Sequence, residues 1–438
     1  MVIAPALKEG AARRSDRDGP DRPTRPPEAR LEEAVGLAAA IGLEVADSAI
    51  VPIADVKPAT LIGTGKVEEL KGRIAAKGIG LVVVDQALTP IQQRNLEKAW
   101  DAKVIDRTGL ILEIFGERAR TREGRLQVEL AHLTYQKSRL VRGWTHLERQ
   151  RGGFGFLGGP GETQIEADRR QLQERIAKIQ GELEDVRRTR ALHRSQRRKV
   201  PHPIVALVGY TNAGKSTLFN AMTASAVFAE YLLFATLDPT LRRLDLPHGK
   251  NAILSDTVGF ISDLPTHLVA AFRATLEEVL EADLILHVRD ISHEDSAVQA
   301  ADVRDVLEDL GVDAADADRV VEVWNKIDLI SAERREAIAK TIEGTEAQRR
   351  PILVSAVTGE GIAALKAAIE QRLSATQPVF SVTVAASDGA GLAWLHEHCE
   401  VLERETRADG SSALDVRVPE KLRDVFRRRF LVAEPSGE

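Results

Sequence analysis

Ile204-Val-Ala-Leu-Val-Gly-Tyr-Thr-Asn-Ala-Gly-Lys-Ser216 decides the fold of this 438-residue chain. Its first five residues are an apolar, β-branched run with the length of a buried strand. The next eight (Gly209, Tyr210, Thr211, Asn212, Ala213, Gly214, Lys215 and Ser216) match G-x-x-x-x-G-K-[ST]. With Thr217 they lead into a helix that begins near Ser216. Strand, loop and helix in that order make an anion seat. Glycines let the backbone approach phosphate oxygens, and successive N–H groups and the helix N-terminus face the negative charge. Lys215 is placed to reach β- and γ-phosphates, and the Ser216 hydroxyl to ligate Mg²⁺. A chance match in a chain of this length has odds on the order of one in a hundred.

Such loops serve ATP as well as GTP, so the base must be read elsewhere. Asn325-Lys326-Ile327-Asp328 follows the strand-like run Val320-Val-Glu-Val-Trp324. The Asp328 carboxylate can accept from the ring N–H and the exocyclic amine of guanine together, a pair that adenine lacks. The aliphatic stem of Lys326 can cover the base plane. Ser355-Ala356, after Ile352-Leu-Val354, would aim a backbone N–H at the guanine carbonyl.

Asp256-Thr-Val-Gly259 follows the apolar Ala252-Ile-Leu-Ser255. Asp256 is placed to hold Mg²⁺ through water, and the Gly259 N–H to sense a γ-phosphate. Phe234 and Thr236 lie in the preceding loop, Leu233-Phe-Ala-Thr236-Leu-Asp-Pro-Thr240. Thr236, preferred here to Thr240, would complete the metal shell only when a γ-phosphate is present. Lys215, Thr236 and Gly259 are therefore the expected catalytic set. Phe260 stands where GTPases of the Ras type carry a glutamine that orients the attacking water. A phenyl ring cannot hydrogen-bond that water, so hydrolysis is expected to be slow alone and partner-stimulated. The ring can equally serve by packing under the following helix.

Composition bounds the rest. The length suggests two to four domains. A single cysteine, Cys399, excludes a disulfide framework and suits a reducing, cytoplasmic setting. No run of about 18 apolar residues exists, so no membrane insertion is expected. The net charge of −6 argues against DNA binding by the whole surface and leaves any RNA contact to local basic stretches. Residues 1–30, rich in Arg, Asp and Pro, are expected to be a disordered arm. Residues 31–120 alternate strand and helix patterns as a small α/β domain, with Leu81-Val-Val-Val84 as a buried strand. Gly63-Thr-Gly65-Lys66 lacks the full phosphate-loop spacing and is expected to cap a helix.

Residues 121–200 carry two heptad seams. Leu126, Leu130, Leu133 and Leu140 form the first; Ile165, Leu172, Ile176, Ile179, Leu183 and Val186 form the second. They predict an antiparallel helical hairpin, with a glycine-rich interruption over 143–161 at its tip. There Arg142, Arg149 and Arg151 stand among Trp144, His146, Phe154 and Phe156. Cations for phosphates and aromatic faces for unstacked bases are what irregular RNA recognition uses. Residues 201–376 read as a phosphate-loop GTPase domain, a parallel-rich sheet with helices on both faces. Residues 377–438 read as a small α/β appendage in the order strand, helix, strand, helix.

These motifs resemble the HflX family of translation GTPases, within the Obg/Era-like group. The segments carrying the resemblance are Phe234-Ala-Thr-Leu-Asp-Pro-Thr240, Asp256-Thr-Val-Gly-Phe260, Gly158-Gly-Pro-Gly-Glu-Thr-Gln164 and Gln127-Val-Glu-Leu-Ala-His-Leu133. It spans about Leu31 to Ser374. It departs at Tyr231, where an acidic residue is expected upstream of the switch threonine. The resemblance implies a ribosome-associated GTPase, monomeric away from the ribosome. It would bind the large ribosomal subunit and its RNA, and split or rescue stalled ribosomes under stress. It also links the N-terminal part to ATP and RNA remodelling. Two other readings stay open: a slow GTP-controlled ribosome-binding or assembly module without splitting activity, and an ATP-dependent RNA remodeller.

Overall fold

The computed structural model describes residues 1–7, 25–150, 160–197, 202–223, 240–247, 250–262, 273–375, 379–407, 410–418 and 422–430. The chain opens on a strand. β1 (Val2–Leu7) is followed by α1 (Pro27–Ala40), β2 (Ser48–Ile53), α2 (Thr64–Ala76), β3 (Leu81–Val84), α3 (Pro90–Trp100), β4 (Lys103–Asp106) and α4 (Arg107–Arg118). The strands form a parallel sheet in the order β2-β1-β3-β4.

The expected disordered arm over 1–30 is therefore corrected at both of its ends. Val2, Ile3 and Ala4 are buried between two strands, and α1 begins at Pro27. The apolar run Met1–Leu7 is long enough for a strand, but averaging it with the charged residues after it hid the pattern. Pro5 is tolerated inside the sheet for a geometric reason. The Ile3 carbonyl accepts from Asp85 N on the β3 side, so Pro5, two residues on, faces the same side just past the end of β3. Gly63 caps α2, as expected of its turn.

α5 (Arg122–Gln150) and α6 (Pro160–Arg197) form the hairpin. Ile179 and Leu183 are buried on the expected α6 seam. On α5 the buried apolar positions are Val128 and Ala131, which join the cluster that holds Leu110 and Phe115 of α4, while the leucine stripe is half-buried. Arg175 bonds Glu129 across the pair at 2.6 Å. Of the expected interruption over 143–161, residues 143–150 continue α5 and 160–161 belong to α6, while 151–159 lie outside the described residues. A single glycine costs a helix only about 1 kcal/mol, and the residues after it are compatible with helix.

β5 (Ile204–Gly209), α7 (Lys215–Thr223), β6 (Thr240–Asp245), β7 (Asn251–Asp256), α8 (Arg273–Leu280), β8 (Leu284–Asp290), α9 (Ser296–Asp309), β9 (Val320–Asn325), α10 (Ala332–Glu343), β10 (Ile352–Leu353) and α11 (Ile362–Ala375) build the GTPase sheet. Its order is β10-β9-β8-β5-β7-β6, parallel except for β6. The last unit comprises β11 (Val379–Val384), α12 (Gly389–His398), β12 (Glu400–Thr406), β13 (Ser412–Arg417) and α13 (Arg423–Phe430). It has one strand more than expected, since β12 and β13 form an antiparallel hairpin whose turn holds Gly410 at φ 82°. No helix among the described residues is long and apolar enough to cross a membrane.

The N-terminal and GTPase units share one apolar core. Leu37, Leu110 and Phe115 belong to the same buried cluster as Val208, Tyr210, Phe260 and Leu276. Ions are buried along this junction. Arg107 pairs with Asp85 and, at 2.5 Å, with Glu33. Arg25 bonds Glu33 at 2.6 Å and Asp295 at 3.3 Å. Removing one partner of such a cluster strands the others without compensation. Arg107→Ala should therefore cost about 3–5 kcal/mol in urea unfolding; an unchanged midpoint would show that the cluster is not buried in solution.

Candidate nucleotide site

The phosphate loop is shaped by close approaches that only glycine permits. Gly209 has φ 153°, and a Cβ there would run into the Val288 carbonyl of β8. Gly214 has φ 90°, and a Cβ would overlap the Asn325 amide. Asn325 is the stitch behind this second contact. Its Nδ2 donates to the Ala213 carbonyl (2.9 Å), while its Oδ1 accepts from Ala356 N–H (3.1 Å). One buried amide thus joins the loop, the end of β9 and the Ser355-Ala356 segment. Asn212 takes the left-handed turn of the loop at φ 59°.

Lys215 is buried and donates to the Gly209 and Tyr210 carbonyls at 3.0 and 2.9 Å. Burial pulls its ammonium down to about 8, against the opposing pull of Asp256. The Ser216 hydroxyl donates to Asp256 Oδ2 at 2.7 Å, and Thr217 follows in α7. Asp256 ends β7 with no exposed surface. A hydroxyl and a carboxylate on one wall of a phosphate seat are hard oxygen donors of the kind Mg²⁺ takes alongside phosphate and water. No cluster of three or more His, Cys, Asp or Glu that could hold a metal unaided occurs among the described residues.

Gly259 lies against the loop. A Cβ on it would come within 2.9 Å of Thr211 Cγ2 and 3.1 Å of Lys215 Nζ. Phe260 pairs with the loop through its backbone, donating to Gly209 O (3.1 Å) and accepting from Thr211 N–H (2.7 Å). Its ring is 2% exposed, so the packing reading of this side chain is the one observed.

On the base side, Lys326 sits in the left-handed region at φ 65°, and Asp328 is exposed in the short turn Ile327–Leu329. The Lys326 ammonium is pinned by Asp290 Oδ2 at 2.7 Å. Sequence reading missed Asp290. The available signal was an acid at the carboxyl end of a buried parallel strand, where open α/β sheets place their ligands. Thr240 is a ladder residue of β6 facing Asp256 across the sheet. Phe234, Thr236 and Tyr231 lie outside the described residues, as do Arg151, Phe154 and Phe156. Arg142, Trp144, His146 and Arg149 lie on α5, with side chains outside the described set.

Four family profiles match the chain: GTP-binding GTPase N-terminal over 28–116, GTP-binding GTPase middle region over 118–197, 50S ribosome-binding GTPase over 204–326 and HflX C-terminal domain over 338–436. GTPase HflX of Magnetococcus marinus is 53% identical over 373 residues, covering 85% of this chain and 84% of the relative. GTPase HflX of Escherichia coli is 46% identical over 382 residues, covering 86% of each. The chain belongs to the HflX family of GTPases. It is a GTP hydrolase whose central domain is of the ribosome-binding class. Among solved structures, a GTP-binding protein from Sulfolobus solfataricus in complex with GDP is 20% identical, covering 85% of this chain and 98% of its own, with a TM-score of 0.41.

The Lys326–Asp290 pair fixes the lysine side chain beside the short turn that carries Asp328. Asp290→Ala should weaken binding of fluorescent GDP about tenfold, as expected for loss of a charged hydrogen bond. An unchanged dissociation constant would show that Lys326 is placed without it.

Proposed function

We propose that this GTPase acts on the large ribosomal subunit, splitting or rescuing stalled ribosomes, with Mg²⁺ as cofactor and with hydrolysis accelerated by the ribosome. The observation that carries the reading is the core shared by the GTPase sheet and the unit that bears the hairpin. Helices of 29 and 38 residues are about 44 and 57 Å long at roughly 1.5 Å per residue. A small change at the phosphate loop can therefore be delivered far away at the tip.

In this reading Lys215 holds the β- and γ-phosphates, backbone N–H groups from Tyr210 to Thr217 cradle them, and Asn325, Lys326, Asp328, Ser355 and Ala356 hold guanine. Ser216 and Asp256 are the residues that would carry Mg²⁺, with Thr236 joining them when a γ-phosphate is present. The ion would neutralise charge on the transferred phosphoryl group. Phe260 is packed in the core and offers no hydrogen bond to water, which supports slow hydrolysis off the ribosome. Arg142, Trp144, His146, Arg149, Arg151, Phe154 and Phe156 are the residues proposed to meet ribosomal RNA. GTP would set the angle of the hairpin, binding to RNA would strain the contacts between subunits, and hydrolysis would release the factor.

Sucrose gradients of purified ribosomes with the protein and a non-hydrolysable GTP analogue test the proposal. Accumulation of free subunits with the analogue, lost in Lys215→Ala, is expected. Co-migration with intact or immature particles would favour the binding-module reading instead.

A further inference from the structure

Tyr210 does more than lend its backbone to the phosphate loop. Its side chain is buried, and its hydroxyl donates to Glu33 Oε2 of α1 at 2.5 Å. The Tyr210 hydroxyl oxygen in turn accepts from the Ser262 backbone N–H at 2.9 Å and from Arg25 Nη1 at 3.0 Å. Ser262 stands three residues past Gly259. Its carbonyl is held as well, accepting from Arg107 Nη2 at 3.0 Å, and its hydroxyl lies 3.0 Å from the Tyr210 hydroxyl. Both backbone polar groups of Ser262 are therefore fixed at the junction with the N-terminal domain. The other end of the turn is fixed on the loop by the Phe260 pairing with Gly209 and Thr211.

The composition of this node is informative. Burial works against the Glu33 carboxylate, yet Arg107 and Arg25 hold it below the usual carboxylate range. Burial, with Glu33 beside it, raises the Tyr210 phenol above its ordinary value, so it stays a neutral donor. Replacing buried ion clusters with apolar residues is often neutral or stabilising, so stability alone is a weak reason to keep one. What this cluster secures is the position of a backbone segment. The segment is the one between the Gly259 turn and the rest of the GTPase domain, and the turn lies directly on Lys215 Nζ and Thr211. A phosphate-loop lysine meets the β- and γ-phosphates, and a Cβ on Gly259 would already stand 3.1 Å from this ammonium, so the turn crowds the side on which a third phosphate would arrive. GDP lacks the γ-phosphate, the group that would meet the turn.

We propose that Tyr210 is a positioning residue whose hydroxyl, by binding Glu33 of α1 and the Ser262 N–H together, holds the Gly259 turn down on the phosphate-loop lysine. Admission of a γ-phosphate then requires the turn to leave this node. The strength of the Glu33–Tyr210–Ser262 contact sets how much GTP is favoured over GDP. The N-terminal domain thereby reads the third phosphate through one phenol rather than through the nucleotide itself.

Tyr210→Phe keeps the ring in the core and removes only the hydroxyl; Glu33→Gln keeps shape and removes the charge. In the full-length protein, dissociation constants for fluorescent GDP and a fluorescent non-hydrolysable GTP analogue separate the two sides. Each variant should bind the GTP analogue about three- to tenfold more tightly relative to GDP, the range expected for one charged hydrogen bond. The double variant should add little to either single one, because both break the same contact. A purely structural role would shift both nucleotides equally. An unchanged or lowered GTP-to-GDP preference in either folded variant, or full additivity in the double variant, would overturn the proposal.

Discussion

Glu33 lies between two arginines in a buried junction, and the oxygen that meets Arg25 also accepts a hydrogen bond from the Tyr210 hydroxyl. Much of the structure depends on that placement. The glutamate comes from the first helix, the arginines from just before that helix and from the head of α4, and the tyrosine from the phosphate loop. A buried carboxylate with two cationic partners tolerates little displacement, since parting from either leaves an ion uncompensated. The N-terminal domain and the GTPase sheet are therefore joined with defined geometry rather than by apolar contact alone.

From that junction the architecture extends in two directions. Toward the nucleotide, Tyr210 holds Ser262, and the backbone of Phe260 holds Gly209 and Thr211. Asn325 then stitches the far side of the loop to the base-side segments. Toward the hairpin, Asp106 caps α4 through Gly109 N–H and accepts from Tyr135 and Arg139 of α5. One side chain thus aligns the fourth strand, the helix after it and the root of the hairpin. The hairpin and the phosphate loop are each a few hydrogen bonds from the same domain, which is what a nucleotide-driven lever requires.

The sequence disclosed the parts whose chemistry is local. Gly209, Gly214 and Lys215 are legible because a loop that wraps phosphate needs those residues within a few positions of one another. The Asn325–Asp328 motif is legible for the same reason, and the family resemblance rested on such segments. Three features were not legible. β1 was lost because seven apolar residues were averaged with a charged stretch, and its partners lie more than 40 residues away. The persistence of α5 past Gly143 depends on a balance of helix propensities that one glycine does not decide. The Tyr210 hydroxyl and Asp290 could not be assigned, because the partner of one lies 177 residues distant and that of the other 36. Only the topology of the two sheets brings those partners together.

The contact that joins α1 to the Gly259–Ser262 turn through Tyr210 is the one that must open when the third phosphate arrives. Hydrogen–deuterium exchange on the full-length protein, with GDP and with a non-hydrolysable GTP analogue, tests it directly. Amides of residues 27–40 and 257–262 should change protection together on going from GDP to the analogue. A change confined to 257–262, with α1 indifferent to the nucleotide, would contradict it.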